Sequence, residues 1–311
     1  MISWTKKTCP KCHKGKLRKF GKRFGYQRYQ CKECKYVLNT KANQKRLVKK
    51  IWEEYTTGKQ TQKELANEFN LSEKTIRSKL KGVELNEGEI EEEETFVLAD
   101  TTYFGRNFGV MVFRSAELKK NLYWKIVQYE TIIGYLEGLD HLKSKGVKIK
   151  GLVCDGRRGI FKAVTDIPVQ MCQFHQVAIV RRYLTSNPKL EASIELMTIT
   201  RRLKDSKRAE FEYEILEWGK RWNSFLKEKT INEDTKKWYY THKRLRSAYR
   251  SLKGNLDKLF VYQEHEGMPN TNNGLEGIFT ELKTQLRLHK GVKFEMKRKL
   301  IFAILGKHLS T

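Results

Sequence analysis

Two Cys-x-x-Cys pairs, Cys9-Pro10-Lys11-Cys12 and Cys31-Lys32-Glu33-Cys34, stand eighteen residues apart near the start of a 311-residue chain. No other feature restricts the local fold so strongly. Four thiolates on two knuckles, each carried by a short hairpin, complete a tetrahedral shell for zinc. A segment this small scarcely folds without such a clamp. The residues between the pairs are strand-like, with Phe24, Tyr26 and Tyr29 among Gly15, Gly21 and Gly25. A zinc ribbon over 1–40 is expected, with Cys9, Cys12, Cys31 and Cys34 as ligands. A redox dithiol would need only one of the two pairs.

Residues 41–83 read as helices. Leu47, Val48, Ile51, Trp52 and Tyr55 recur at helical spacing, and Gly58 follows as a stop. Thr61 and Glu64 make a capping box that opens a second helix. After a turn at Asn70-Leu71, Ser72 is a good N-cap for a third. Leu65, Ala66, Phe69, Leu71, Ile76 and Leu80 would form the core of a helix-turn-helix. Its second helix would enter the major groove of double-stranded DNA and expose Lys74, Thr75, Arg77 and Ser78. A helical hairpin for protein contact is the alternative; the neighbouring ribbon and the basic chain favour DNA.

Charge points the same way. Lys and Arg total 63 against 36 acidic residues, a formal +27. Such an excess favours a polyanion, because neutralised phosphates release condensed counterions. No stretch approaches the roughly 18 apolar residues of a membrane span, and the first residues lack the apolar run of a secretion signal. No membrane partner is expected, and the cytoplasm is the expected compartment. There, paired cysteines favour metal over disulfides.

From Glu84 to Glu94 the chain turns acidic, ending in Glu91-Glu92-Glu93-Glu94, and reads as a self-repelling linker. The pattern then changes. Residues 95–100, 107–115 and 121–130 are strand-like, 131–146 is helical, 148–155 is a buried strand, and 169–174 is a shorter one. Three strands, a helix, a strand, a helix and a strand is the order of an RNase H-like sheet, so the fold class is α/β. Residues from about 185 to 262 lose strand character and read as an all-helical insertion containing Trp218, Trp222 and Trp238. Residues 271–291 form a turn and a helix, and the core domain is expected to run over 95–311.

Asp100 ends the first core strand and Asp155 the fourth. Adjacent strands would bring both carboxylates to one edge, where oxygen ligands suit magnesium or manganese. Cys154 should point to the opposite face, into the core. A third acid should come from the last helix, where Glu276 and Glu281 compete. Leu275, Ile278, Phe279, Leu282 and Leu286 make its core stripe, and Glu276, Thr280, Lys283 and Arg287 fall on a neighbouring one. Glu281 lies about 140° away from Glu276, and Gly274 and Gly277 leave room beside Glu276 for a substrate backbone. Glu276 is the better candidate. A lone Asp after a strand is usually a turn or cap residue; three acids on this order of elements carry the functional reading.

The runs around Asp100, around Asp155-Gly156-Arg157-Arg158, from Gln170 to Gln176 and across Asn272-Asn273-Gly274-Leu275-Glu276 resemble the Mutator-like group of insertion-sequence DDE transposases. The likeness is greatest to the prokaryotic branch that begins with a zinc-binding segment, and it covers most of the chain. It implies that Asp100, Asp155 and Glu276 bind two divalent metals, Mg2+ or Mn2+, and that the helical insertion helps handle the transposon end. The family's Cys-x-x-His motif falls on Cys172 and His175, which places His175 near the active site. Related enzymes stack an insertion tryptophan on a flipped base; Trp218, Trp222 and Trp238 are all candidates, and the sequence does not choose among them. From the residues alone, Cys172 reads as a buried strand residue.

The implied chemistry is in-line displacement at phosphorus by two metals about 4 Å apart, first by water and then by the freed 3′-hydroxyl. Arg157, Arg158, Lys283, Arg287 and Lys290 would hold phosphates. The helix-turn-helix would read the terminal inverted repeats. A homodimer on DNA, in the prokaryotic nucleoid, is the expected working form. Alternatives are an RNase H-like nuclease such as a junction resolvase, and a domesticated, non-catalytic DNA-binding regulator.

Overall fold

A computed structural model describes residues 8–23, 26–85 and 94–306. The chain is mixed α/β and divides into two compact units, Met1–Asn86 with Thr284–Ile304, and Glu87–Lys283 with Leu305–Thr311. Phe24, Gly25 and most of the expected acidic linker, including Glu91, Glu92 and Glu93, lie outside the described residues.

The first unit opens with a three-stranded antiparallel sheet, β1 (Leu17–Arg23), β2 (Tyr26–Cys31) and β3 (Val37–Asn39), in sequence order. Its buried cluster is Cys9, Leu17, Cys31 and Leu38, too small a core to hold three strands by apolar burial alone. Three helices follow, α1 (Thr40–Thr56), α2 (Gln62–Glu68) and α3 (Glu73–Lys81). The capping box closes as expected: the Thr61 N–H donates to Glu64 Oε2 at 2.7 Å and the Glu64 N–H to Thr61 Oγ1 at 3.3 Å. Ser72 caps α3 by accepting the Thr75 N–H at 3.2 Å. Ile51, Tyr55, Leu65, Ala66, Ile76 and Leu80 are buried, while Phe69 and Leu71, at the turn, are half-buried. Lys74, Arg77 and Ser78 are exposed and Thr75 is half-buried.

The second unit is built on a five-stranded mixed sheet of β4 (Glu94–Phe104), β5 (Phe108–Ser115), β6 (Asn121–Val127), β7 (Lys148–Cys154) and β8 (Val169–Met171), in the order β6-β5-β4-β7-β8. The first three strands pair antiparallel, and β7 and β8 extend the sheet in parallel. Parallel strands need a crossover, and α4 (Ile132–Ser144) provides the one between β6 and β7. Its Tyr135, Leu139 and Leu142 pack in one core with Val97, Ala99, Met111 and Phe113 of the sheet. After α5 (Ile160–Ala163) and β8 come α6 (Gln173–Leu184), α7 (Glu191–Arg201), α8 (Arg208–Arg221) and α9 (Asn223–Lys227). A hairpin of β9 (Lys229–Ile231) and β10 (Trp238–Tyr240) precedes α10 (Lys243–Leu259). These helices share a second core around Leu196, Phe211, Ile215, Trp218, Leu252 and Phe260. α11 (Glu276–Leu288) and α12 (Phe294–Gly306) complete the described chain. Among the described residues, no helix is long and apolar enough to cross a membrane.

Three expectations need correction. The region 185–262 is not all-helical: β9 and β10 pair Trp238 with Ile231. Strands of three residues are too short to show alternation, although Thr230, Ile231 and the Trp-Tyr-Tyr run flank a turn in which Asn232 Oδ1 accepts the Asp234 and Thr235 N–H groups. Cys172 is not a strand residue. Its N–H still donates to the Cys154 carbonyl, but its own carbonyl accepts the Gln176 N–H and so opens α6. The core domain does not hold all of 95–311, because Thr284–Ile304 belongs with the first unit. There the His289 ring lies 4.2 Å from that of Tyr55, and Lys299 Nζ donates to the Lys81 and Val83 carbonyls.

Candidate functional site

The four N-terminal cysteines come together. Their sulfurs lie within 4.8 Å of one another, with Cys9–Cys34 and Cys12–Cys31 each at 3.6 Å. Tight turns after Cys9 and after Cys12 help to make this possible. The Lys11 N–H points at Cys9 Sγ (3.3 Å) and the Gly15 N–H at Cys12 Sγ (3.4 Å). Backbone N–H groups of Gly15 and Lys14 favour the Cys12 thiolate and hold its pKa down to about 6. Gly15 has no substitute, since a Cβ there would sit 2.4 Å from Cys31 Sγ. Four converging sulfurs could hold a structural metal such as zinc.

A second constellation lies at the edge of the five-stranded sheet. In the parallel register of β4 with β7, Leu98 pairs with Val153. Two residues further on stand Asp100, within β4 rather than at its end, and Asp155, just past the end of β7, and by the alternation of the strands both fall on the face opposite the core. Ala99 and Cys154 point the other way, into the core, as expected for Cys154. Asp100 is well supplied with partners. Its Oδ1 accepts the Thr101 N–H at 2.8 Å, its Oδ2 accepts Asn272 Nδ2 at 3.1 Å, and His175 Nε2 lies 3.9 Å from Oδ2. Burial nevertheless pushes its pKa up to about 6, and Asp155 adds to the shift, against the lowering by His175, Thr101 and Asn272. Asp155 Oδ1 accepts the Arg157 N–H at 3.0 Å.

His175 arrives from the first turn of α6, one turn beyond the buried Cys172. Its pKa is pushed up to about 9 by the Cys172 sulfur beside it and then by Asp100 and Asp155, while burial opposes them. Its Nδ1 is buried and without a hydrogen-bond partner. Cys172 acts structurally: its thiol donates to Asn272 Oδ1 at 3.0 Å. The Gln173 N–H donates to the Asn270 carbonyl, and Asn270 Nδ2 to Gln173 Oε1, both at 3.0 Å. These bonds strap the segment before α11 to the start of α6 and deliver Asn272 to Asp100.

Glu276 follows as the first residue of α11 and is exposed. Leu275, Ile278, Phe279, Leu282 and Leu286 are buried, and Thr280, Lys283, Arg287 and Lys290 are exposed, as the helical stripes require. Asp100, Asp155 and Glu276 do not close to the spacing of the cysteines; among the described residues only the cysteines form so tight a group. Like charges repel, and Asp155 already disfavours ionisation of Asp100.

One acid was missed by the sequence reading. Glu130 is 8% exposed, accepts the Tyr135 hydroxyl, and lies 3.8 Å from Arg157 Nη1. Burial first, then Asp155 and Asp100, raise its pKa to about 7, while Tyr135 and Arg157 act in the opposite sense. Arg157 is thereby linked to both Asp155 and Glu130, and Arg158 is exposed. Of the tryptophans, Trp218 is buried and donates to the Ala192 carbonyl, and Trp222 donates to Glu195. Trp238 is 54% exposed, with Lys229 Nζ 3.9 Å from its ring.

No protein-family model matches the chain, and no curated protein shows significant similarity to it.

Proposed function

We propose that the chain is a DNA transposase of the DDE type, with an RNase H-like core in the second unit and a zinc ribbon and helix-turn-helix in the first. The observation that supports this most is the pairing of β4 with β7, which sets Asp100 beside Asp155 on one sheet face. The strand order and the strap from α6 to Asn272, four residues before Glu276, agree with it. A buried carboxylate held up at about 6 gains from a nearby cation, so Asp100 fits a divalent metal, with Asp155 and Glu276 as further hard oxygen ligands. Bound there, Mg2+ or Mn2+ would stabilise the attacking and leaving oxygens of phosphoryl transfer. Asn272 orients Asp100. His175 offers a positive charge and a ring proton to a phosphate oxygen, and Arg157 and Arg158 add charge for the scissile strand. Of the three insertion tryptophans, the exposed Trp238 would be the one to stack on an unpaired base. α3 would present Lys74, Arg77 and Ser78 to the terminal repeats, and paired ends would be worked on by a homodimer.

Inverted repeats flanking the gene would supply the substrate. With magnesium, the protein should join a repeat duplex carrying a free 3′-end to plasmid DNA. Asp155→Asn should bind that duplex and join none of it. Undiminished joining by Asp155→Asn would overturn the reading, and cutting of branched DNA without joining would make the chain a resolvase.

A further inference from the structure

The segment Thr284–Ile304, which belongs with the first unit, carries six Lys or Arg residues and one acid, Glu295. Its apolar residues Leu286, Leu300, Ile301 and Ile304 are buried. The turn from α11 into α12 has the opposite character. Arg287, Lys290 and Lys293 are exposed there, and none of the three has an ion-pair partner among the described residues. Comparable cations of the second unit are balanced: Arg202 pairs with Glu214, Arg208 with Asp257 and Arg221 with Glu195. Three unbalanced charges on one short turn repel one another, a cost that an anionic partner removes.

The surroundings of the turn decide which anion. A hollow of about 700 Å3 is bordered by Lys63 of α2, by Arg77 and Lys81 of α3, and by Val292 and Lys293 of the turn. All four cations are exposed. That suits a solvated polyanion better than a small molecule, most of whose surface a pocket buries. Lys299 Nζ, donating to the Lys81 and Val83 carbonyls, ties α12 to the end of α3 and holds the turn beside that helix. A helix with its side chains is about 10–12 Å across and the major groove about 12 Å wide, so a helix inserted there fills it. Whatever flanks the helix then meets the sugar-phosphate strands that bound the groove.

We propose that the α11–α12 turn is a second DNA contact of the first unit, in which Lys290 and Lys293 hold the phosphate strand running beside α3. The inference rests on the helix-turn-helix reading of α2 and α3 and is independent of the carboxylate site. Backbone contacts carry no sequence information, so the turn should tighten repeat and unrelated duplexes alike.

Fluorescence anisotropy of the full chain with a labelled duplex, over a series of salt concentrations, tests it. The double variant Lys290→Gln, Lys293→Gln changes only exposed side chains. It should lower the slope of log K against log salt by about 2 and weaken binding about tenfold at about 0.1 M salt, whatever the duplex sequence. Lys119→Gln, Lys145→Gln, an equally exposed pair in the second unit, should leave the slope unchanged. A slope that the turn variant leaves intact, or that the control pair lowers as much, would overturn the proposal. Lys74→Gln on α3 separates the two readings. If it weakens binding and the turn variant does not, the turn is no contact and the helix-turn-helix stands; if neither weakens binding, the helix-turn-helix reading falls and the proposal with it.

Discussion

Asp100 and Glu130 are both carboxyls held above their ordinary pKa values by burial, and that makes them sources of pH dependence. An acid with a raised folded pKa contributes stability that is present below its unfolded pKa and lost as pH rises through the folded one. For Glu130 the window runs from about 4.5 to about 7. Glu130→Gln should therefore gain on the wild type between pH 4.5 and 7.5, by on the order of 2 kcal/mol. Urea denaturation of metal-free protein at the two pH values measures it, and a pH-independent difference would remove Glu130 from the charged cluster. Asp100 and Asp155 were legible in the sequence because each closes an apolar run of strand length. Glu130 was not, since its burial depends on Tyr135 and Arg157, which nothing local foretells.

At the scale of elements, caps and packing set the margins. Ser72→Ala removes the acceptor that starts α3 and should cost about 1 kcal/mol of first-unit stability by thermal denaturation. Gly138 of α4 and Gly254 of α10 make a contrast. A Cβ at Gly138 would lie 2.0 Å from the Phe113 ring, whereas at Gly254 nothing lies within 4 Å. Gly138→Ala should destabilise by about 1–3 kcal/mol, and Gly254→Ala should stabilise by about 0.5–1 kcal/mol through helix propensity. Equal melting temperatures for the two variants would contradict the packing of α4 on the sheet. The helices announced themselves through Thr61, Glu64, Ser72 and the apolar stripes. The β9–β10 hairpin did not, because its strands draw their stability from their neighbours rather than from a pattern of their own.

Across the whole molecule, the two units rest on different supports. The three N-terminal strands and their turn share a buried cluster of four residues, whereas the second unit has two extensive cores, one on the sheet and one among its helices. A zinc chelator should therefore expose the amides of β1 to β3 to hydrogen exchange while those of β4, β5 and β7 stay protected. Loss of protection in both sets would show that the metal supports more than the three N-terminal strands. The order of the large sheet could be read from the succession of strand-like and helix-like segments, because each crossover has to be long enough to reverse direction. The assignment of Thr284–Ile304 to the first unit could not, because contacts between residues some two hundred positions apart leave no local trace.

Lys299 in contact with the end of α3 has a consequence for synthesis. The unit begun first on the ribosome cannot be completed until its last stretch, Thr284–Ile304, has been made, long after every strand of the large sheet has emerged. Maturation of the nascent chain thus runs against the order of translation, and the early segment must wait, partly assembled, for its missing wall.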